Sequence, residues 1–212
     1  MSLSNKLFLS RPIILELLQD RGFDTEIYNN FTPEEIEIMY KSVSTKTSEL
    51  SVLDIQLTNQ TKQKIIVKYI FSPRIRVSNI INATETLLET ELNEGDTLIV
   101  IIRDNLTSDE ALEEYFKQIY IERKVFCQYF WINALTFNLT QHEMVPKHEI
   151  IEEEEKQELI KNLQITDLDK LPTIKKNDPV AKYYGMKEGD ICKITRKSET
   201  AGNYVSYRLC QN

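Results

Sequence analysis

The chain has 212 residues, 41% of them hydrophobic and 28% charged, enough to bury a sizeable core in one domain or two. Its formal net charge of −7 argues against a free-standing nucleic-acid binder held by phosphate neutralisation. No run approaches the roughly eighteen consecutive apolar residues of a membrane helix, and the start, Met1-Ser2-Leu3-Ser4-Asn5-Lys6, has no apolar signal-peptide core, so no membrane partner is expected.

In chain order, Leu7, Ile14, Leu17 and Leu18 lie at helical spacing and predict a first helix from about Ser4 to Asp20, ended by Gly22. Thr32, Pro33 and Glu35 spell the start of a second helix: an N-cap, a first-turn proline and a capping-box acid three residues on. Ile36, Met39, Tyr40 and Val43 would face inward. The period then changes to alternation with β-branched residues, which predicts strands over 51–58 and 64–71 around a turn at Asn59-Gln60-Thr61. A turn at Asn93-Glu94-Gly95-Asp96 leads into Leu98–Ile102, a strand apolar on both faces. Ser108 is the expected cap of a helix to about Tyr120, and Val125 to Phe130 reads as another strand. Alternating helices and strands predict an α/β layered domain over residues 1–140.

Glu152 to Glu155 and Lys156 open an amphipathic helix through Leu163, its acids suited to the helix dipole. After Leu171-Pro172 the pattern predicts a short helix over Pro179 to Tyr184 and turns at Gly185 and Glu188-Gly189. Strands over 191–196 and 204–209 follow, joined through Ala201-Gly202. This second, α+β domain covers residues 141–212. From Lys170 onward nine Lys/Arg stand against four Asp/Glu, a net of +5, which leaves −12 for residues 1–169. The basic end suits an acidic protein surface or nucleic acid.

Enzymatic motifs are absent. Five glycines and no glycine-rich phosphate loop argue against a dinucleotide site, and no G-x-S-x-G surrounds a serine. Cys127, Cys192 and Cys210 lack C-x-x-C spacing and read as reduced packing thiols. His142 and His148 straddle Pro146, which excludes a helical two-histidine metal site and leaves packing or hydrogen-bonding roles. A nuclease would need a carboxylate such as Asp54 facing an acid-x-Lys strand. The strand reads Ile66-Val67-Lys68, with isoleucine where the second metal ligand belongs. No catalytic residue, metal or cofactor is expected.

The C-terminal blocks HEMVPKHEII, LPTI, DPVAKYYGMKEGD and ICKITRKSETAGNYVSYRLC occur in an order and spacing too specific for chance. They resemble the C-terminal domain of subunit 5 of eukaryotic-type RNA polymerase, called H in archaea. The resemblance implies a subunit without independent activity whose C-terminal domain docks on the largest polymerase subunit. Tyr183, Tyr184, Tyr204 and Tyr207 with Lys182, Arg196 and Arg208 are the aromatic and basic mixture enriched at interface hot spots. Singly, each tyrosine equally suits packing of a small β core. Ser198, Glu199 and Thr200 suit either capping of the hairpin or bonding to the partner. With His148, these residues other than Tyr184 are the expected interface.

The N-terminal half resembles the eukaryotic subunit more loosely, in element order and in stretches such as LLQDRGF. The resemblance implies a jaw domain beside downstream duplex DNA, with a restriction-endonuclease-like but catalytically empty fold. The family places a Thr-Pro-Ser loop near DNA after the buried strand. Here the segment runs Arg103-Asp104-Asn105-Leu106-Thr107-Ser108-Asp109 and lacks the proline. Arg103, Asn105, Thr107 and Ser108 are the expected DNA-proximal residues, in weak, sequence-independent contact. Simple N-capping by Ser108 is the other reading. Further partners would be other polymerase subunits and transcription factors. Two different classes stand beside this reading: a stand-alone nuclease-fold DNA-binding protein and a free transcription adaptor. A composition rich in Asn, Ile, Lys and Glu leaves open a divergent protist, with the protein in the nucleus, or a large DNA virus, with the protein in a cytoplasmic factory or virion.

Overall fold

The computed structural model describes residues 2–28, 31–43, 51–71, 75–104, 106, 109–163, 168–198 and 202–211. Its contacts divide the chain into two compact units, Met1–Phe137 and Asn138–Asn212.

In the first unit, helix α1 (Leu3–Asp20) buries the expected stripe of Leu7, Ile14, Leu17 and Leu18. It stops in a Schellman arrangement, with Gly22 at φ 84° and the Phe23 amide donating to the Leu18 carbonyl at 3.0 Å. Helix α2 (Pro33–Val43) carries the capping box: the Glu35 amide donates to Thr32 Oγ1 at 3.3 Å, and the Thr32 amide to Glu35 Oε2 at 2.7 Å. Thr32→Ala is expected to cost about 1 kcal/mol, read as a lower urea midpoint for the full chain. Of the residues expected inward on α2, Ile36 is buried, Met39 and Tyr40 are half-buried, and the side chain of Val43 lies outside the described residues.

Strand β1 (Ile55–Thr58) is shorter than the alternation predicts, because Ser51–Leu53 is a single 3-10 turn. The reason is Asp54, whose carboxylate turns to bind Lys68 Nζ at 2.9 Å and the Tyr69 amide at 3.0 Å. That side-chain bond takes the place of a ladder bond and ends the strand. Strand β2 (Lys64–Ile70) pairs antiparallel with β1 and parallel with β3 (Thr97–Ile102), which pairs parallel with β4 (Phe126–Trp131). Parallel neighbours need crossovers, supplied by helix α3 (Val77–Thr90) between β2 and β3 and helix α4 (Glu110–Arg123) between β3 and β4.

Every residue of β3 is buried, as a strand covered on both faces requires. One face of the sheet, with Ile66, Leu98, Val100, Ile102 and Tyr129, packs on Ile80 and Leu88 of α3 and Leu112, Phe116 and Ile119 of α4. The other carries Tyr69 and Gln128 and meets α1: Arg21 donates to Gln128 Oε1 at 2.9 Å, and the charge of Arg11 lies near Tyr69 and opposes the burial that raises the tyrosine pKa. The unit is thus a helix–sheet–helix sandwich.

The second unit is built on a sheet of order β5-β7-β8-β6. Strand β5 (Lys147–Ile150) and β8 (Gly202–Gln211) each run antiparallel to β7 (Ile191–Ser198), with which β8 forms a long hairpin, and the three-residue β6 (Thr173–Lys175) runs parallel to β8. Strands β5 and β6, too short to show a period, have no counterpart in the sequence expectation. Helix α5 (Glu153–Leu163) buries Leu159 with Ile151, Leu171, Ile191 and Leu209. Helix α6 (Pro179–Tyr184) contributes Ala181 to a second cluster with Met186, Cys192, Ile194 and Cys210. Ile191 and Leu209 are cross-strand partners, and the neighbouring Cys192 and Cys210 point the opposite way, so each helix covers one face.

Candidate functional site

The β7–β8 hairpin reaches past both neighbouring strands. Pairing with β5 ends at Thr195 and pairing with β6 ends at Leu209, whereas the hairpin register continues to Ser198 and Gly202. Along this overhang the two faces differ. Arg196, Tyr204 and Arg208 share the face that farther down carries Cys192, Ile194 and Cys210; Tyr207 points to the other and packs beside Leu209. The structure therefore divides the expected interface set.

At the tip, Tyr204 is 59% exposed and stands directly across from the exposed Arg196. Neither has a hydrogen-bond or ion-pair partner among the described residues. Arg208 is half-buried and donates from Nη1 to the Thr173 carbonyl at 3.3 Å, which ties it across β6. Lys182 is half-buried on α6. Tyr183 turns inward: it is 6% exposed, its ring meets that of Tyr184 edge-on at 5.1 Å, and its hydroxyl accepts from Asn138 Nδ2 at 3.4 Å. His148, on β5 opposite Ile194, is also buried, so both of these expected interface residues pack beneath the surface of the unit. Glu199 and Thr200, and the side chain of Ser198, lie outside the described residues.

His148 Nδ1 sits 2.6 Å from the Pro146 carbonyl, which can only accept, so Nδ1 carries the ring proton. Burial holds the imidazole pKa below its ordinary 6.5, reinforced by the positive fields of Arg196 and Arg208 and opposed by the Pro146 bond and by Asp178. Below pH 6.5 the unfolded chain takes up a proton that the folded imidazole refuses, so stability falls with pH until the folded ring also protonates. His148→Asn, which preserves the donor, is expected to flatten the decline in urea midpoint between pH 7 and the folded pKa. Cys192 and Cys210 are free and buried, and burial pushes each thiol up to about 11, so both are inert packing groups at neutral pH.

In the first unit, the strand-to-helix segment after β3 has one arginine against two aspartates among its described residues. Arg103 Nε lies 3.4 Å from Asp104, and Asp109, not the expected Ser108, occupies the cap position of α4. The Asp109 carboxylate accepts from the Tyr129 hydroxyl at 2.5 Å instead of from a helix amide, and burial followed by this contact raises the tyrosine pKa. Asn105, Thr107 and Ser108 lie outside the described residues. At the nuclease-like position, Lys68 pairs with Asp54, and Ile66, two residues before it, is 1% exposed within the apolar cluster. The acid that would complete a two-carboxylate metal site is thus a core residue. Among the described residues no group of three or more His, Cys, Asp or Glu side chains is arranged to hold a metal ion, and no helix is long and apolar enough to cross a membrane.

Comparison with known proteins bears on the family of the chain. The family model described as RNA polymerase Rpb5, C-terminal domain, matches residues 137–210. Subunit rpabc1 of DNA-directed RNA polymerases I, II and III from Dictyostelium discoideum is 31% identical over 208 residues, covering 97% of this chain and 98% of its own. The corresponding subunit RPABC1 of Caenorhabditis elegans is 26% identical over 211 residues, covering 96% and 95%. Subunit 5B of RNA polymerases IV and V from Arabidopsis thaliana is 25% identical over 211 residues, covering 96% and 89%. An identity of 31% across nearly the whole of both chains, with the C-terminal match in register, means that this chain belongs to the Rpb5 family of accessory, non-catalytic subunits of DNA-directed RNA polymerases.

Proposed function

We propose that the chain is a two-part scaffold within its polymerase. The C-terminal unit anchors it to the largest subunit, and the N-terminal unit forms a jaw beside downstream duplex DNA, in the nucleus. The observation that carries the anchoring half is the overhanging hairpin tip, where Arg196 and Tyr204 are solvent-facing without partners among the described residues. An exposed aromatic beside an arginine is the composition of an interface hot spot.

The jaw half rests on family membership and on the emptied nuclease-like constellation. With Ile66 in place of an acid and Lys68 already paired to Asp54, the restriction-endonuclease-like reading of this unit carries no hydrolytic chemistry. Contact of the 103–109 segment with DNA is weak and sequence-independent in this proposal, because Asp104 and Asp109 offset Arg103. Tagged chain from its native source should bring down the largest polymerase subunit, with cross-links from that subunit to β7 or β8. Cross-links confined to the N-terminal unit would refute the anchoring assignment. Purified chain with Mg²⁺ and duplex DNA at physiological salt should neither cut nor bind tightly; cutting would favour the stand-alone nuclease.

A further inference from the structure

Strand β8 has an edge that the described residues of its own unit leave open. The Leu209 amide donates to the Pro172 carbonyl at 2.9 Å on the β6 side, whereas the Cys210 amide donates to the Asp190 carbonyl at 2.8 Å on the β7 side. Because backbone groups alternate along a strand, those of Val205 and Tyr207 point with Leu209, away from β7. The β7–β8 register runs without a bulge from Ile191↔Leu209 to Ser198↔Gly202, so the alternation holds along the hairpin. Strand β6 pairs only with Leu209, Cys210 and Gln211. Its extension toward Tyr207 stops at Pro172, which has no amide hydrogen, and Leu171 turns into the apolar cluster. Val205 and Tyr207 have no backbone partner on this side among the described residues.

An unpaired strand edge is costly unless it is covered, and proteins ordinarily blunt it with charge, proline or a bulge. Here the edge instead carries Val205, 39% exposed, and the half-buried Tyr207 on one face, with Tyr204 and Arg208 on the other. We infer that this edge receives an extended segment of another polymerase subunit, which adds to the sheet as a fifth strand in line with β6. Alternation sets the chemistry of that segment: an apolar residue beside Val205 and Tyr207, and an acidic residue on the opposite face toward Arg208 and Arg196. Charge complementarity selects such a strand over a second copy of this chain, whose own β8 edge would bring like charges together. The inference rests on the anchoring role proposed above and specifies its mode: backbone pairing supplies affinity and the two faces supply selectivity.

Residue-resolved amide exchange on the full chain, free and in purified polymerase, tests this directly. On assembly, Val205 and Tyr207 are expected to slow at least about tenfold, as formation of one backbone hydrogen bond each implies, while Ser206 and Arg208, already paired to β7, change little. Val205→Pro removes one donor from the open side, where a strand tolerates proline. It should enter polymerase several-fold less well while the free variant keeps the wild-type melting temperature. A chain that brings down no polymerase subunits removes this inference together with the anchoring proposal. A chain that brings them down with Val205 and Tyr207 exchanging as in the free state overturns this inference alone. A free chain that sediments as a dimer with both amides already slow assigns the edge to a second copy and overturns it too.

Discussion

Asp54→Ala is expected to destabilise the N-terminal unit by about 3–5 kcal/mol, because it removes one partner of a buried ion pair. The side chains of Lys68 and Asp54 are only 9% and 15% exposed, and their 2.9 Å contact joins the turn before β1 to the middle of β2. The same carboxylate accepts the Tyr69 amide, so the variant also orphans a backbone donor. Trp131, the only tryptophan, lies at the end of β4 and reports this unit's unfolding by fluorescence. The control is the paired replacement Asp54→Leu with Lys68→Met, which exchanges an ion pair for apolar contact and should recover most of the loss. If Asp54→Ala unfolds within about 1 kcal/mol of wild type, the pair is a surface-like contact. A large loss with recovery in the double variant would identify Asp54 and Lys68 as structural members of a site that holds no nuclease chemistry.

Local signals were legible in the sequence where side chains and backbone agree. The Thr32–Glu35 box forms as its spelling requires, and Leu98–Ile102, apolar without alternation, lies in a fully buried strand. The C-terminal blocks carried enough specific residues to identify the family before any coordinates. Helix α3 was not legible, because VSNIINATETLLET is full of β-branched and asparagine residues with poor helix propensity. Its burial of Ile80, Thr84 and Leu88, four residues apart, is the signal that tertiary packing used. The Ser51–Leu53 turn was missed for the opposite reason: an alternating pattern was interrupted by one aspartate whose partner lies on another strand. Arg11 shows the same limit. It is 5% exposed, with its guanidinium 4.5 Å from the centre of the Phe31 ring and one donor on the Leu53 carbonyl, which one-dimensional spacing does not encode. For the proposed docking face, composition singled out the C-terminal segment as a whole. Composition could not separate Tyr204, on the hairpin overhang beyond β5, from His148 on the same sheet face and Tyr183 on α6, both of which are buried.

That separation yields the second large effect. Tyr204→Ala should weaken incorporation into polymerase by about 30-fold or more, the consequence of losing a hot-spot aromatic worth at least about 2 kcal/mol. The free chain should barely notice, since the Tyr204 side chain is 59% exposed and makes no hydrogen bond among the described residues. Arg196→Ala, directly across the hairpin, should act in the same direction and combine non-additively with it. Tyr183→Ala makes the opposite prediction. That ring is buried against Tyr184, so its loss should lower the melting temperature of the C-terminal unit, with incorporation falling only as far as folded chain is lost. Competition between tagged wild type and variant for a limiting polymerase pool, read beside each variant's thermal unfolding, distinguishes the two. Parity of Tyr204→Ala with wild type in that competition would move the anchor away from the hairpin tip. A loss without a change in unfolding assigns the exposed tyrosine to the partner, because a residue that stabilises nothing within its own unit can lower incorporation only through what it touches outside it.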